Sequence, residues 1–480
     1  MPRRDLARLA YAGAAGAALF CGGVASAQTQ PAEEEEIVVT ATRSEQALID
    51  VPASIAAQDV DVLRQRGFTY GTDEFRGVTG VFFRRGEGDG DEFAFVSIRG
   101  SSGTEGYLTM VDGVPFFGTD EEPWLTQLPY DALERVEIVK GPVSALYGRG
   151  GIYGAVNYIT RTPRENQTIA SATFGSDDYF RGEALLERAD GENGFLLSAS
   201  YEDYAGWRDN SGKEVFNLLA RADIELSDDL RLDLMVNYLD RYSEVPNAIP
   251  TSPDGEVVDV FGGREAFLGF GHPDNDLQGL IGGARLSWEA RENLEFQFTA
   301  HARHFEQDLR LNFYDPFGRD LANNLIGFNG FYAQTTQDVY FGEASATYRS
   351  GAHALVAGVS YELMESESTD SWSGQNGFTF ACGFNFYLVS VDVTTGQVVN
   401  ADHPCFVVDE PLTRDAFTSN FWGAFVQDEI TLSPNWRLTL GVRYDSFQRE
   451  ARVASPDCAR SVSRRRGGCN LAESRAFLSL

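Results

Sequence analysis

Basic residues, cysteines, histidines and long apolar runs are all scarce in this chain of 480 residues. Lysine and arginine number 39 against 71 aspartates and glutamates, which leaves a net charge of -32. Nucleic-acid binding requires clustered lysine and arginine, so this acidity argues against a nucleic-acid partner. Past residue 27, no apolar run reaches the roughly 18 residues that a membrane-spanning helix needs. The sequence therefore excludes a helical membrane span in the mature chain.

The five histidines are too scattered to indicate a metal site. His301 and His304 are close in sequence, but their odd spacing places them on opposite faces of a strand. No grouping of a nucleophile, a base and an orienting residue stands out along the chain. We therefore expect no metal, no cofactor and no enzymatic activity.

The first residues have the pattern of a secretory signal peptide. Three arginines within the first eight residues precede an apolar stretch at 9–24, and Ala25-Ser26-Ala27 forms a cleavage site. A lipoprotein site at Cys21 is the less favoured alternative, because Phe20 stands where such sites need a small residue. The predicted signal peptide covers residues 1–27, so we expect the mature chain to be exported.

Four cysteines remain after that cleavage, and an even number in an exported protein favours disulfides. Pairing of near neighbours would join Cys382 to Cys405 and Cys458 to Cys469, with one bridge in each of two long loops. Zinc or free thiols are the alternative, which is weaker because His403 is the only histidine near either pair.

The segment 134–161 is the most informative part of the chain. Glu134–Val139 alternates like a strand, a break follows at Lys140-Gly141-Pro142, Ser144–Tyr147 can make one helical turn, and Gly154–Thr160 alternates again. Through both strands and both turns it resembles the end of the plug domain of TonB-dependent outer-membrane receptors. Further likenesses at 93–100 and 107–115 extend the resemblance over about 37–161, and the predicted plug domain covers residues 48–162.

Before the predicted plug lies a leader, residues 28–47, with four consecutive glutamates that end at Glu36. Such a charge run is normally solvated, whereas the β-branched residues that follow favour an extended strand that can join another sheet's edge. The position resembles the family's TonB box. The resemblance implies that TonB, driven by the inner-membrane energising complex, binds six residues in the periplasm. These are Glu36, Ile37, Val38, Val39, Thr40 and Ala41.

Two polar or exposed segments of the predicted plug are candidate ligand contacts. Arg84 and Arg85 begin a Gly- and Asp-rich stretch that is too polar for a core, and its spacing does not match a calcium loop. In the family such loops rise to the outer face of the plug. Guanidinium groups bind oxyanions, and Phe117 and Trp124 would stack on flat groups of a chelate. Pairing with nearby acids and packing on the barrel wall are equally compatible with these residues.

After Pro163 the chain alternates as paired strands, and this predicted barrel part covers residues 163–480. Leu230, Leu232 and Leu234 share one face while Arg231 and Asp233 share the other. The same holds for 294–301 and 436–444. Apolar-out, polar-in strands with aromatic ends are typical of transmembrane β-barrels, although periodicity alone does not say which face is outside.

The lengths of the connections between strands indicate which face of the sheet is outside. Five short turns are predicted at 189–193, 227–229, 291–293, 350–352 and 432–435, after a first tight turn near 176–178. Long connections are predicted at 202–213, 241–278, 307–334, 365–417 and from 447 onwards. Short periplasmic turns and long extracellular loops alternate in outer-membrane barrels. Both predicted disulfides would then lie outside the cell.

The resemblance implies a mainly β fold, with an N-terminal α+β plug domain inside an antiparallel transmembrane β-barrel. We count about 12 strands where the family has about 22, so we expect a truncated or interrupted barrel with two unpaired edges.

The implied function is TonB-dependent uptake of a scarce solute across the Gram-negative outer membrane, in contact with its lipid. A ferric siderophore is the leading solute. Cobalamin, an oligosaccharide, or a non-functional truncated receptor are the alternatives. A passive porin would have no plug, and a signal-transducing receptor would carry a further domain before the TonB box.

Overall fold

Two structural parts follow one another along the chain, a small α+β unit and a large antiparallel sheet. The computed structural model describes residues 38–39, 46–47, 54–67, 73–84, 95–101, 107–116, 128–246, 265, 267, 272–320, 325–373, 389–392, 397–398, 413–433, 436–454 and 469–479. Among the helices that these residues form, none has the length and apolar character to cross a membrane.

The small unit comprises the predicted plug, preceded by two short paired strands in the predicted leader. Its elements follow the predicted motifs. They are β1 (Val38–Val39), β2 (Gln46–Ala47), β3 (Ile55–Asp59), α1 (Val60–Gln65), a 3₁₀ turn (Asp73–Phe75), β4 (Val81–Arg84), β5 (Phe95–Ile98), β6 (Tyr107–Val111), β7 (Val114–Pro115), a 3₁₀ turn (Tyr130–Ala132), β8 (Leu133–Lys140), α2 (Ser144–Tyr147) and β9 (Gly154–Thr160). The predicted strand, helical turn and strand between 134 and 160 are confirmed.

The plug core is a five-stranded sheet in the order β3-β8-β9-β6-β7, covered by α1. Asp59 caps α1 because its carboxylate accepts a hydrogen bond from the backbone N–H of Val62 at 2.8 Å. Val60 and Leu63 lie one helical turn apart and are fully buried in the core. Strand β9 is buried along its whole length, since β8 and β6 flank it. Gly154 is required there, because a Cβ would overlap the carbonyl oxygen of Val139.

The large sheet begins at Gln167 and follows the chain strand by strand. It contains β10 (Gln167–Phe174), β11 (Phe180–Asp190), β12 (Asn193–Tyr204), β13 (Lys213–Ser227), β14 (Leu230–Glu244), β15 (Asp274–Arg291), β16 (Leu294–Asp320), β17 (Leu325–Ser350), β18 (His353–Ser373), β21 (Thr413–Ser433), β22 (Trp436–Ala454) and β23 (Cys469–Ser479), with a branch of β19 (Val389–Asp392) and β20 (Gln397–Val398) on β17. Neighbouring strands of this sheet pair antiparallel throughout. The main path has the predicted number of strands.

The two faces of this sheet differ as predicted. On β22, Leu440 is 56% exposed while the inward Arg443 is 6% exposed. On β14, Val236 is 51% exposed and its neighbour Asn237 only 1%. Apolar side chains therefore cover the outer face, and the inner face packs against the plug. This is the reverse of a water-soluble β-sandwich and is the arrangement that a lipid environment stabilises.

The connections follow the predicted alternation of short and long links except between β16 and β17, where the link covers only 321–324. Strands end and resume across 191–192, 228–229, 292–293, 351–352 and 434–435, where the short turns are predicted. The long connection predicted at 307–334 is wrong, because β16 and β17 pair as far as Asp320 and Leu325. Strands β14, β18 and β22 also run past their predicted ends, to Glu244, Ser373 and Ala454. These hairpins continue beyond the apolar zone on the side of the long loops.

Candidate functional site: the contact between plug and barrel wall

Two apolar clusters join the plug to the inner face of the sheet. In one, Leu146 and Tyr147 of α2 pack with Val356 and Phe425 of the wall. In the other, Phe116 of the plug meets the edge of the Phe305 ring at a centroid distance of 6.0 Å. Burial of apolar side chains in these clusters stabilises the docked position of the plug.

The turn between β6 and β7 is held by two arginines of the wall. Asp112 has a φ of 48°, and its carboxylate accepts hydrogen bonds from the backbone N–H and hydroxyl of Thr160 at 2.9 and 2.7 Å. Arg221 of β13 donates to the Thr160 hydroxyl at 2.6 Å. Arg285 of β15 donates to the backbone oxygen of Asp112. These contacts fix one side of the plug to strands β13 and β15.

On another side, Arg443 of β22 holds the end of α2. Its guanidinium donates to the backbone oxygen of Leu146 at 3.0 Å, to the Ser360 hydroxyl at 3.2 Å and to Asp445 at 2.7 Å. The space for this buried side chain exists because residue 423 is glycine. A Cβ at Gly423 would overlap the guanidinium of Arg443. The wall therefore leaves room for an arginine that binds the plug backbone.

A charged cluster near α1 forms a third contact. Arg64 of α1 lies 2.5 Å from a carboxylate oxygen of Asp131 and 3.1 Å from one of Glu183 on β11. Arg181 and Lys213 in turn bind Glu202, at 2.9 and 2.6 Å. These groups are largely buried, and the single guanidinium of Arg64 faces two carboxylates that repel each other. Burial and the nearby Glu183 raise the pKa of Asp131 to about 6, although Arg64 opposes the shift.

Lowering the pH from 7 to 5 is expected to stabilise the plug at this contact. A carboxyl group whose folded pKa is raised stabilises the fold fully below its ordinary pKa of 3.8, and this contribution is lost as the pH rises through about 6. The expected gain is about 1 kcal/mol, measured from urea titrations of plug release at both pH values. Asp131→Asn should remove this pH response, whereas Asp61→Asn, at an exposed position, should retain it. An unchanged response in Asp131→Asn would contradict the assignment.

Glu362 of β18 organises a fourth group of contacts. It accepts a hydrogen bond from Arg149 of the plug at 2.8 Å and lies 3.8 Å from Arg303 of β16. The guanidinium of Arg149 covers the Phe421 ring at 3.7 Å, a cation–π contact. Two guanidinium groups thus approach the carboxylate of Glu362 inside the barrel.

A cavity of about 770 Å³ lies between the plug and strands β13 to β18. Its plug side is formed by the turn from Asp112 to Val114, and its wall side includes His301, Ser345 and Arg285. It extends to Asp228 and Asp229, which form a short turn, and so reaches the periplasmic end of the barrel. The lining is rich in charged and polar side chains, which suits passage of a hydrated or polar solute.

The sequence-predicted site residues are only partly covered by the described residues. Val38 and Val39 form β1, which pairs antiparallel with Gln46 and Ala47, and Arg84 is the last residue of β4. Cys469 is the first residue of β23. Outside the described residues lie Glu36, Ile37, Thr40, Ala41, Arg85, Phe117, Trp124, Cys382, Cys405 and Cys458. The TonB box, the ligand contacts and the disulfides therefore stay predictions.

Sequence reasoning did not find the wall residues that hold the plug. Arg221, Arg285, Arg303, Glu362 and Arg443 each occupy an inward position of an alternating strand. The available signal is a charged residue on the polar face of a strand, which many positions share. Within the described part of the chain, no group of three or more potential ligands could hold a metal ion. His301 and His304 lie on opposite faces, as predicted.

Both parts of the chain match models of known protein families. Residues 47–155 match the family model described as TonB-dependent Receptor Plug Domain, and residues 382–468 match TonB dependent receptor-like, beta-barrel. The vitamin B12 transporter BtuB of Vibrio vulnificus is 30% identical over 222 residues, which cover 44% of this chain and 36% of that protein. The probable TonB-dependent siderophore receptor PiuA of Acinetobacter baumannii is 21% identical over 451 residues, 88% of this chain and 58% of the relative.

Solved structures share the fold. The crystal structure of PiuA from Acinetobacter baumannii matches with a TM-score of 0.71 at 18% identity, over 92% of this chain and 62% of that one. The ferric-catecholate import receptor Fiu of E. coli K12 in its open form matches with a TM-score of 0.69 at 16% identity, over 90% of this chain and 67% of that one. The chain spans 36% and 58% of the length of the two curated relatives described above.

Proposed function

Because the chain belongs to the TonB-dependent receptors of the outer membrane, we propose that it takes up a scarce solute with energy delivered by TonB. The observation that carries the proposal is the folded plug seated on the inner face of the barrel wall. Apolar clusters, buried arginines and charged pairs all hold it there. A passive channel needs an open lumen, whereas here the plug lies against the inner face of the wall. A solute can therefore pass only when work displaces part of the plug.

TonB would deliver this work by binding the segment 36–41. β1 is extended and pairs with β2 on one edge. A strand of TonB would add to the other edge of β1, in the mode of β-strand addition. The proton gradient of the inner membrane would then act through TonB as a pull on the N-terminal end of the plug.

The solute that the relatives favour is a ferric siderophore. The relative that matches 88% of this chain is a probable siderophore receptor. The inner wall fits an anionic chelate, since the buried Arg303 has two terminal nitrogens without a hydrogen-bond acceptor among the described residues. Arg84, Arg85, Phe117 and Trp124 are proposed as contacts at the outer face of the plug, where guanidinium and aromatic groups suit a chelate's oxygen atoms and rings.

Cobalamin is the second candidate, because a vitamin B12 transporter is 30% identical over 222 residues. Cobalamin is a large corrinoid with many neutral amide groups, whereas ferric chelates expose anionic oxygens. The two candidates therefore differ in how strongly uptake should depend on guanidinium groups. A receptor for cobalamin should tolerate neutral replacements of these arginines better than a receptor for an anionic ferric chelate.

Uptake in a strain without its own siderophore and cobalamin receptors tests the proposal. Cells that produce the chain are expected to accumulate radioactive iron from at least one of ferric catecholate, hydroxamate or citrate chelates. Accumulation should stop when TonB is absent or when an uncoupler collapses the proton gradient. Accumulation of labelled cyanocobalamin alone would select the second candidate. If neither label enters above the level of cells without the gene, the proposal is wrong.

A further inference from the structure

Arg303 carries a buried positive charge that the docked plug leaves poorly compensated. Its side chain is 1% exposed, and the nearest carboxylate oxygen among the described residues, on Glu362, is 3.8 Å away and belongs to a group that also binds Arg149. Within the described structure, neither terminal nitrogen of Arg303 donates a hydrogen bond. Its guanidinium lies 4.5 Å from the centre of the Phe116 ring. Burying such a charge without hydrogen bonds costs several kcal/mol. An anionic ligand that accepts hydrogen bonds from the guanidinium would offset part of this cost.

A second unsatisfied donor lies beside it. Gln337 of β17 is 3% exposed, and its side-chain nitrogen has no hydrogen-bond acceptor in the described structure. Arg303 is paired with Val339, so Gln337 is its diagonal neighbour on the same inner face. Such diagonal positions are about 7 Å apart, within the span of long side chains. One oxyanion can therefore accept hydrogen bonds from both residues.

The cavity described above begins directly below these two donors. Inward positions on β16 continue from Arg303 to His301 and Thr299, and both of these line the cavity. Phe341, opposite His301 on β17, lines it as well. Above the cavity, Phe116 packs against Arg303 and Phe305. The plug segment from Asp112 to Phe116 thus separates the buried donors from the periplasmic opening.

Resting on the proposed uptake function, we propose that an anionic solute leaves the receptor along the inner face of β15 to β17. Arg303 and Gln337 form a transit site for its oxyanion groups, and the solute then enters the cavity. Displacement of the segment 112–116 opens the route, and the plug contacts of Arg443 on β22 remain in place. These donors make no hydrogen bond to the described protein groups, so they can bind a solute as it passes.

A tryptophan at position 345 tests the route. Ser345 lines the cavity, whereas Ala346 is the next residue on β17 and points to the opposite, outer face. Ser345→Trp is expected to leave binding of the transported ferric chelate to de-energised cells within about twofold, because binding precedes transit. Energised uptake should fall to the level of cells without TonB. Ala346→Trp is the matched control and should bind and transport normally.

Three further variants separate the route from a folding defect. Ser345→Cys can be coupled to a bulky methanethiosulfonate after assembly, and uptake should stop only after coupling, while the unsubstituted chain treated in the same way continues to transport. Arg303→Gln should lower the maximal uptake rate about tenfold, and Arg303→Lys should recover most of it, since a cation remains. Normal uptake by Ser345→Trp or by coupled Ser345→Cys overturns the proposed route. Normal uptake by Arg303→Gln overturns the transit site. Failure of the unsubstituted receptor to bind either a ferric chelate or cyanocobalamin instead rejects the proposed function.

Discussion

Leu440→Arg is expected to destabilise the barrel by about 2 to 4 kcal/mol, which is the cost of a lipid-facing arginine near the middle of the bilayer. Leu440 lies on the outer face of β22 between Trp436 and Tyr444, which are 71% and 50% exposed. Aromatic residues at both ends of an apolar stretch mark the two membrane interfaces, so Leu440 lies between them. The free energy of unfolding from lipid vesicles, measured by urea titration, checks this value.

Trp436→Arg is the matched control for that substitution. It introduces the same charge on the same face and strand, but at the interface, where an arginine reaches water and costs about 0 to 1 kcal/mol. The difference between the two variants is therefore the effect of depth in the membrane. Equal and small losses in both would mean that this face lies in water, and the orientation of the sheet would have to be reversed.

Proline in β1 is expected to abolish uptake while surface binding of the solute remains. Proline has no backbone N–H and cannot donate to a strand ladder. The N–H groups of Val38 and Val39 point to opposite edges of β1, and one edge already pairs with β2. The proline that removes the N–H on the other edge should reduce uptake to the level of a strain without TonB.

Proline at Thr29 provides the control, since this residue lies in the predicted leader before the glutamates. Thr29→Pro should transport normally, because no strand addition is expected there. Crosslinking of cysteine-substituted TonB to β1 gives a readout that is independent of uptake. Normal uptake in both Val38→Pro and Val39→Pro would show that TonB does not bind this segment by strand addition.

Much of the fold could be predicted because local signals and the final structure agree. The break at Lys140-Gly141-Pro142 and the cap at Asp59 act through the backbone next to them, so the sequence reveals them directly. Alternation along β14 and β22 predicts two faces, and the pattern of turn lengths predicts which face is outside. These features depend on neighbours in the chain or in the adjacent strand.

The error at 307–334 has a physical reason. Pro316 and Gly318 suggest a loop, but the structure places both within a register shift between Asp315 and Arg319. A proline is tolerated at such an irregularity because the ladder is already interrupted there. Hydrogen bonding then resumes at Arg319 and continues to Asp320. Local composition could not show that the pairing survives.

The candidate site was harder to predict because its residues are defined by what the plug covers. Arg303 and Arg443 occupy the same kind of inward position as other charged residues of the wall. Only the docked plug shows that Arg443 binds the carbonyl oxygen of Leu146, whereas Arg303 has no such acceptor among the residues that the structure describes. That difference requires the three-dimensional placement of Phe116 and α2, which periodicity does not contain.

The bond between Arg443 and Leu146 has a consequence for biogenesis. It joins residues that are 297 positions apart, and the bond from Arg149 to Glu362 spans 213. The plug segment is synthesised and exported before the strands that will enclose it. Contacts over such sequence distances form slowly and expose partly folded chain to aggregation. The nascent polypeptide consequently requires protection in the periplasm until its later hairpins arrive, and its yield should depend on chaperone capacity there.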